Sequence, residues 1–305
     1  MIDPDFLEEL QKILGKDSVS IDLESCERNS FDAFSPKRIY GRQSLTNCRV
    51  DAVVRPKTVE QISSVIKLAR AYEVPVIPYG GGTGVMGAVI PLNGGISLDM
   101  RSMDRIIGID ALEQIAVVEP GVLLENLSNE AANYALILGH DPWSVPIATV
   151  GGAISTDGIG YRASKYGSMG KQVRALEIVL GDGQIIRTKP LMQLSSGPSV
   201  VGLFVGSEGT MGIITKITVQ LFPKPEKRRF TAFSFESFEA GFVAVSRLYE
   251  IGLTPAVLDL TEEEVDQNGV NTSRCILYLV FEGYKEEVNA QYKRTIAEVT
   301  EFKGI

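Results

Sequence analysis

The chain has 305 residues, of which 44% are hydrophobic and 22% charged, an ordinary balance for a globular protein with room for two domains. A net charge of -8 argues against nucleic acid as a partner, because phosphate backbones require a basic face. It leaves room for an anionic small ligand, since local backbone N–H groups can outweigh the global charge.

Cys26, Cys48 and Cys275 are far apart and show no zinc or iron–sulfur spacing with each other or with His140, the single histidine. No metal site is expected, and the cysteines read as reduced thiols. The N-terminal residues are acidic and amphipathic, without the basic start and apolar core of a secretion signal. No stretch approaches the roughly 20 apolar residues of a spanning helix. The expected address is therefore cytoplasmic, with no transmembrane segment.

Residues 3–15 are predicted as a short helix with Phe6, Leu7, Leu10 and Leu14 on one face. Residues 24–48 lack periodicity and read as a long, partly extended lead-in. Residues 48–54 alternate as a strand that Pro56 ends. Thr58 then caps a helix to about Tyr72, with Gln61 at the capping-box position. A strand over 74–78 delivers the chain into a glycine turn. Strands follow at 96–100, 106–109 and 115–119, then a helix over 122–134. Residues 173–180 and 184–188 flank Gly181-Asp182-Gly183 and read as a hairpin. The composition shifts near Pro223-Lys224-Pro225, the expected domain boundary. Beyond it the pattern is strand 230–235, helix 237–251, strands 256–260 and 274–282, and a charged helix from Lys285. The mixed order argues for an α+β fold. The last run is a ferredoxin-like β-α-β-β-α without its final strand.

Two glycine-rich turns carry the chemistry: Pro78-Tyr79-Gly80-Gly81-Gly82-Thr83-Gly84, and Thr149-Val150-Gly151-Gly152-Ala153 with Gly158 and Gly160 beyond. Glycine permits positive φ and lets N–H groups approach a ligand without a Cβ in the way. A pair of such turns suggests a long anionic cofactor held at two places. The first lacks the Lys-Ser/Thr of a Walker loop. Gly82-Thr83-Gly84-Val85-Met86-Gly87 matches G-x-G-x-x-G, but Pro91 leaves no room for the helix that a Rossmann fingerprint must open.

These turns occur in order with Val54 to Ile62, Val118-Glu119-Pro120-Gly121-Val122, Lys165-Tyr166-Gly167 and Gly206 to Ile214. Taken together, the segments resemble the PCMH-type FAD-binding domain of the vanillyl-alcohol oxidase/p-cresol methylhydroxylase superfamily. The nearest likeness is to its D-lactate dehydrogenase and glycolate oxidase flavoprotein-subunit branch. The resemblance implies a two-part FAD-binding domain over 1–225, with its core at 46–225, and an incomplete cap over 226–305. It places Pro78, Gly80, Gly81, Gly82, Thr83 and Gly84 around the FAD pyrophosphate, and Pro120 and Gly121 beside the adenine and ribose. Thr149, Gly151, Gly152, Ala153 and Thr156, with Gly160 beyond, fall beside the pyrophosphate and flavin. Glu208, Gly209 and Ile214 fall where the sheet closes on the adenosine end. Tyr161, Arg162, Lys165 and Tyr166 are expected near the isoalloxazine or the substrate entrance, and Asp157 stands where this branch often has Asn. Trp143 is read as a packing residue.

Many relatives tether FAD through a histidine in the first turn; Thr83 stands here, so non-covalent FAD is expected. His140 reads either as a loop hydrogen-bonder or as a general base, and Arg162 as a contact for a substrate carboxylate. The implied activity is an FAD-dependent dehydrogenase that oxidises a 2-hydroxy acid such as D-lactate or glycolate by hydride transfer, passing electrons to a quinone-linked or iron–sulfur partner. The histidine cluster of that branch has no counterpart here, and the sequence stops inside a cap helix. The chain therefore reads as a fragment, a truncated product or a subunit completed within an oligomer or complex, with exposed apolar surface over 230–282. The alternatives are a non-catalytic or electron-carrying FAD subunit, and a flavoenzyme like alkyl-dihydroxyacetone-phosphate synthase.

Overall fold

A computed structural model describes residues 2–34, 48–191, 197–267 and 270–301. In chain order the regular elements are α1 (Pro4–Leu14), β1 (Val19–Ser20), α2 (Leu23–Arg28), β2 (Ala52–Val54), α3 (Val59–Ala71), β3 (Val76–Tyr79), β4 (Ile96–Asp99), β5 (Ile106–Asp110), β6 (Ile115–Val118) and α4 (Leu124–Ala132). They continue with β7 (Leu136–Ile137), α5 (Val150–Ser155), α6 (Ala163–Tyr166), β8 (Val173–Val179), β9 (Ile185–Arg187), β10 (Ile213–Gln220), β11 (Phe222–Pro223), β12 (Lys227–Phe235), α7 (Phe238–Glu250), β13 (Val257–Gln267), β14 (Val270–Gly283) and α8 (Lys285–Glu301). The chain divides into two compact units. One holds Met1–Leu138, Ser144–Gly158 and Gln172–Leu221; the other holds Gly139–Trp143, Ile159–Lys171 and Phe222–Ile305.

The first unit contains two sheets. The four-stranded sheet has the order β1-β2-β4-β3, with β4 parallel to both β2 and β3. The five-stranded sheet, β5-β6-β10-β8-β9, is antiparallel throughout. α1 starts where the Asp3 carboxylate accepts from the Asp5 N–H, with Pro4 at its first position, and stops at Gly15 with φ +85°. It buries Phe6, Leu10 and Leu14 beside Ile62, Val65, Ile96 and Leu98. α3 is capped by Thr58, whose Oγ1 accepts from Gln61 N–H at 3.2 Å. The Gln61 side chain reaches back one residue further than a capping box requires, accepting from Lys57 N–H at 2.7 Å.

Two local expectations are corrected. The lead-in contains α2, because Asp22 accepts from Ser25 N–H at 2.8 Å and starts a helix that periodicity over six residues was too short to reveal. The second glycine segment is a helix, α5, with Thr149 as its N-cap. It follows a stack of turns at 144–148, where Ile147 and Ala148 N–H both donate to the Ser144 carbonyl. Trp143 precedes that stack and is 88% exposed, so it is not a packing residue within this chain.

In the second unit, β12-β14-β13 form an antiparallel sheet in which β14 lies between the other two. Phe233, Phe235, Cys275, Leu277, Leu279 and Phe281 project from one face and share a core with Ala244 and Leu248 of α7 and Val288 and Val299 of α8. Both helices therefore cover the same face. Phe230 and Tyr278 are exposed on the opposite face, at 74% and 37%, and Phe242 and Tyr249 are exposed on α7. Among the described residues no helix is long and apolar enough to cross a membrane.

Leu277 is fully buried in the second core. Leu277→Ala is expected to destabilise this unit by about 2–5 kcal/mol, through lost transfer energy and the cavity left behind. Urea unfolding followed by far-ultraviolet circular dichroism checks this.

Candidate functional site

The expected cofactor residues of the first unit converge through contacts so close that side chains are excluded. A Cβ at Gly80 would lie 2.5 Å from Thr149 Oγ1, and one at Gly81 would lie 2.1 Å from the Ile147 carbonyl oxygen. At Gly151 it would meet Pro120 Cβ at 2.6 Å, and at Gly121 the Met100 carbonyl oxygen at 2.4 Å. Gly209 leans on Pro78, where a Cβ would stand 2.3 Å from Cγ. Gly206 and Glu208 N–H donate to the carbonyls of Ile154 and Ser155 at 3.0 and 2.8 Å. The 78–84 turn, the 118–122 turn, α5 and the 206–209 turn thus form one backbone assembly. Ile214 lies behind it, buried on β10.

The places of the missing Cβ atoms are filled by protein, by main chain at Gly81 and Gly121 and by the side chains of Thr149, Pro120 and Pro78 at Gly80, Gly151 and Gly209, so these glycines serve close packing as well as any ligand. The hydrogen bonds then separate the two glycine segments. At α5, Val150 N–H donates to Val122 carbonyl at 2.8 Å, Gly151 to Pro120 carbonyl at 2.9 Å, Gly152 to Thr149 Oγ1 at 3.2 Å and Ala153 to Thr149 carbonyl at 2.9 Å. The donors at the start of this helix are therefore spent. In the first turn, the N–H groups of Gly81, Gly82, Thr83 and Gly84 donate to no protein acceptor among the described residues. Such a run of half-buried donors fits the diphosphate of a dinucleotide.

α5 ends in a Schellman arrangement: Gly158 N–H donates to Ala153 carbonyl and Asp157 N–H to Ile154 carbonyl. Asp157 sits at φ +46°. Asp and Asn tolerate that left-handed region better than other non-glycine residues, which accounts physically for Asp where Asn is often found. Glu208 also has positive φ, at +51°. The Thr156 hydroxyl donates back to Gly152 carbonyl at 3.1 Å.

His140, Gly160, Arg162 and Tyr166 belong to the second unit. A Cβ at Gly160 would lie 2.7 Å from Asp141 N, so this glycine fits the 159–162 segment against the 139–143 loop. Arg162 donates its backbone N–H to Asp141 Oδ1, and its Nε lies 2.8 Å from Asp141 Oδ2. Its guanidinium is also 3.8 Å from Glu282, whose side chain is fully buried. Tyr166 donates to Glu282 Oε1 at 2.6 Å, Arg228 to Oε2 at 2.5 Å, and Lys165 to the Glu282 carbonyl. His140 is 2% exposed and offers almost no surface to a substrate. Among the described residues no cluster of His, Cys, Asp and Glu is arranged to hold a metal ion.

Burial alone would raise Glu282, but the hydrogen bonds from Tyr166 and Arg228 prevail and hold it below the usual carboxylate range. Burial raises the Tyr166 phenol, and the bond to Glu282 adds to the shift. Burial also raises Asp141 and outweighs the opposing pull of Arg162. Glu282 is the hub of this cluster, and no local sequence signal marks it: Tyr166 is 116 residues away and Arg228 is 54.

Gly81→Ala should weaken FAD binding by more than tenfold and lower the melting temperature, because its Cβ meets rigid backbone. Gly152→Ala meets only Thr149 Oγ1, at 3.0 Å, and should be far milder. Titration with FAD and thermal melts compare the two. Glu282→Gln should cost about 1–3 kcal/mol at pH 7, since it leaves Arg162 without a nearby carboxylate and weakens the bond from Arg228, whose exposure to water screens its share. The folded-state pKa of Glu282 is depressed, so its stabilisation is present above the ordinary value of 4.5 and is lost as the pH falls through the depressed one. The gap between wild type and Glu282→Gln should accordingly close in acid, as measured by urea unfolding at pH 7 and below pH 4.5.

Comparison with known proteins agrees with this geometry. Residues 50–189 match the FAD binding domain family. The chain is 32% identical over 265 residues to D-lactate dehydrogenase of Anaerostipes hadrus, covering 87% of this chain and 54% of that protein. It is 36% identical over 214 residues to glycolate oxidase subunit GlcD of Bacillus subtilis, covering 70% and 46%. It thus spans about half the length of these curated relatives. Among solved structures, alkyldihydroxyacetonephosphate synthase superposes with a TM-score of 0.88 at 22% identity, over 100% of this chain and 60% of that one. p-Cresol methylhydroxylase superposes with a TM-score of 0.82 at 20% identity, over 98% and 64%. Residues 50–189 thus carry an FAD binding domain, the chain is similar over most of its length to D-lactate dehydrogenase and GlcD, and its fold is that seen in p-cresol methylhydroxylase.

Proposed function

We propose that this chain forms the FAD-binding part of an oxidoreductase that oxidises a small 2-hydroxy acid such as D-lactate or glycolate. The observation that carries the reading is the run of unspent N–H donors at Gly81–Gly84, in a chain homologous to D-lactate dehydrogenase and GlcD. Bound FAD would supply the hydride acceptor. The residues of this chain would bind and orient it. Gly81, Gly82, Thr83 and Gly84 would meet the diphosphate. Gly80, Pro120, Gly121, Thr149, Gly151, Gly152, Ala153, Thr156, Glu208 and Gly209 would shape the walls around it, with Pro78 and Ile214 as supports. With Thr83 in the turn and His140 buried elsewhere, binding would be non-covalent.

In the second unit, Arg162 is already engaged by Asp141. This favours a role for Arg162 and His140 in fixing the 139–143 loop over direct contact with substrate. The order β12-β14-β13, with both helices on one face, supports a ferredoxin-like cap with one edge strand missing. Electrons would pass to a quinone-linked or iron–sulfur partner in the cytoplasm, within a larger assembly. The close superposition on alkyldihydroxyacetonephosphate synthase favours one second reading, a flavoenzyme of that kind.

The test is anaerobic mixing of FAD-loaded protein with D-lactate and glycolate. Loss of the flavin band near ~450 nm is expected. A band that stays intact with every hydroxy acid, yet is bleached at once by dithionite, would sink the dehydrogenase reading.

A further inference from the structure

The stretch after α2 carries no motif, yet it lies against the first glycine turn. Asp32 accepts twice, from Phe34 N–H at Oδ1 (2.9 Å) and from Gly87 N–H at Oδ2 (3.1 Å). The same Oδ2 stands 3.0 Å from the position of a Cβ on Gly84. Tyr79 is buried, and its hydroxyl lies 3.2 and 3.3 Å from the carbonyls of Arg28 and Phe31, sharing one proton between them. A Cβ on Gly82 would lie 2.2 Å from that hydroxyl. Arg101 covers the Tyr79 ring at 5.1 Å and is itself fixed by the buried Asp99 carboxylate at 2.7 and 2.8 Å. Asp32 thus bonds the turn at Gly87 and packs against Gly84, while the Tyr79 hydroxyl, bonded to the 28–31 segment, packs against Gly82.

We infer that Asp32 and Tyr79 are positioning residues for the diphosphate of the cofactor, fixing the Gly82–Gly87 backbone so that its free N–H groups converge on one anion. The inference rests on the FAD reading. A carboxylate close to a diphosphate is electrostatically unfavourable, so the contribution of Asp32 must be geometric. This sets the sign of the effect. If only its charge mattered, removing it would tighten anion binding; if it braces the turn, removing it weakens binding.

The experiment titrates cofactor-free protein with FAD, ADP and adenosine, the last two differing by the diphosphate, for wild type, Asp32→Ala, Asp32→Asn and Tyr79→Phe. Asp32→Ala should weaken FAD and ADP by roughly tenfold, the worth of about one hydrogen bond, and leave adenosine unchanged. Asp32→Asn keeps one acceptor oxygen and should recover part of the loss. Tyr79→Phe should shift ADP in the same direction, again sparing adenosine. ADP bound as tightly as by wild type, or more tightly, in Asp32→Ala would overturn the inference. So would equal weakening of ADP and adenosine, which would mark a general loosening. If Asp32→Ala does not fold, Asp32→Asn and Tyr79→Phe decide on the same ADP-to-adenosine ratio. Wild-type protein that binds neither FAD nor ADP would overturn the cofactor reading and this inference with it; wild-type binding with unchanged variants overturns the inference alone.

Discussion

The site depends on one constraint: the 80–84 turn must lie directly on the 147–152 backbone. Contacts of 2.1 to 2.6 Å to absent Cβ atoms at Gly80, Gly81 and Gly151 leave no room for a side chain at any of the three. Protein interiors are close-packed, so such contacts are relieved only by moving the neighbours. At Gly81 the neighbour is the Ile147 main chain, at Gly80 the Thr149 side chain that caps α5, and at Gly151 Pro120. Among the described residues the N–H groups of Gly81, Gly82, Thr83 and Gly84 have no protein acceptor, while those at the start of α5 have been consumed.

This divides the labour between two segments that look alike in sequence. The first presents donors. The second is a short helix whose donors are spent on Val122, Pro120 and Thr149, and it acts as the wall on which the first rests. The 206–209 turn closes from the far side, hydrogen-bonded to the end of α5 and seated on Pro78. The second unit has its own polar centre, in which Glu282 gathers Tyr166, Arg228 and Lys165 and tethers the 159–171 segment to β14. A buried carboxylate with charge-assisted partners rigidifies such a loop whether or not it adds net stability.

Much of this was legible in the sequence. The cap at Thr58, the hairpin at Gly181-Asp182-Gly183 and the β-α-β-β-α run near the C-terminus follow from local chemistry, and the ordered glycine segments pointed to FAD. What was not legible arises from long-range contact. The α5 helix hides because Gly151 and Gly152 score poorly for helix; packing on Pro120 explains Gly151, and Gly152 lies against the Oγ1 of the capping Thr149. α2 hides because six residues are too few for a period. Glu282 and Asp32 are single acids with distant partners, and nothing in a neighbouring residue announces either. Arg162 reads in sequence as a contact for a substrate carboxylate, and the fold supplies the Asp141 carboxylate beside it.

The central claim is that the Gly81–Gly84 donors, and not those of α5, receive the cofactor. Amide hydrogen exchange with and without FAD tests it most directly. The account predicts fast exchange at Gly81, Gly82, Thr83 and Gly84 in the cofactor-free protein and strong protection once FAD is bound, while Val150 and Gly151 are protected in both states. Saturating FAD that leaves the four turn amides exchanging as before would contradict it.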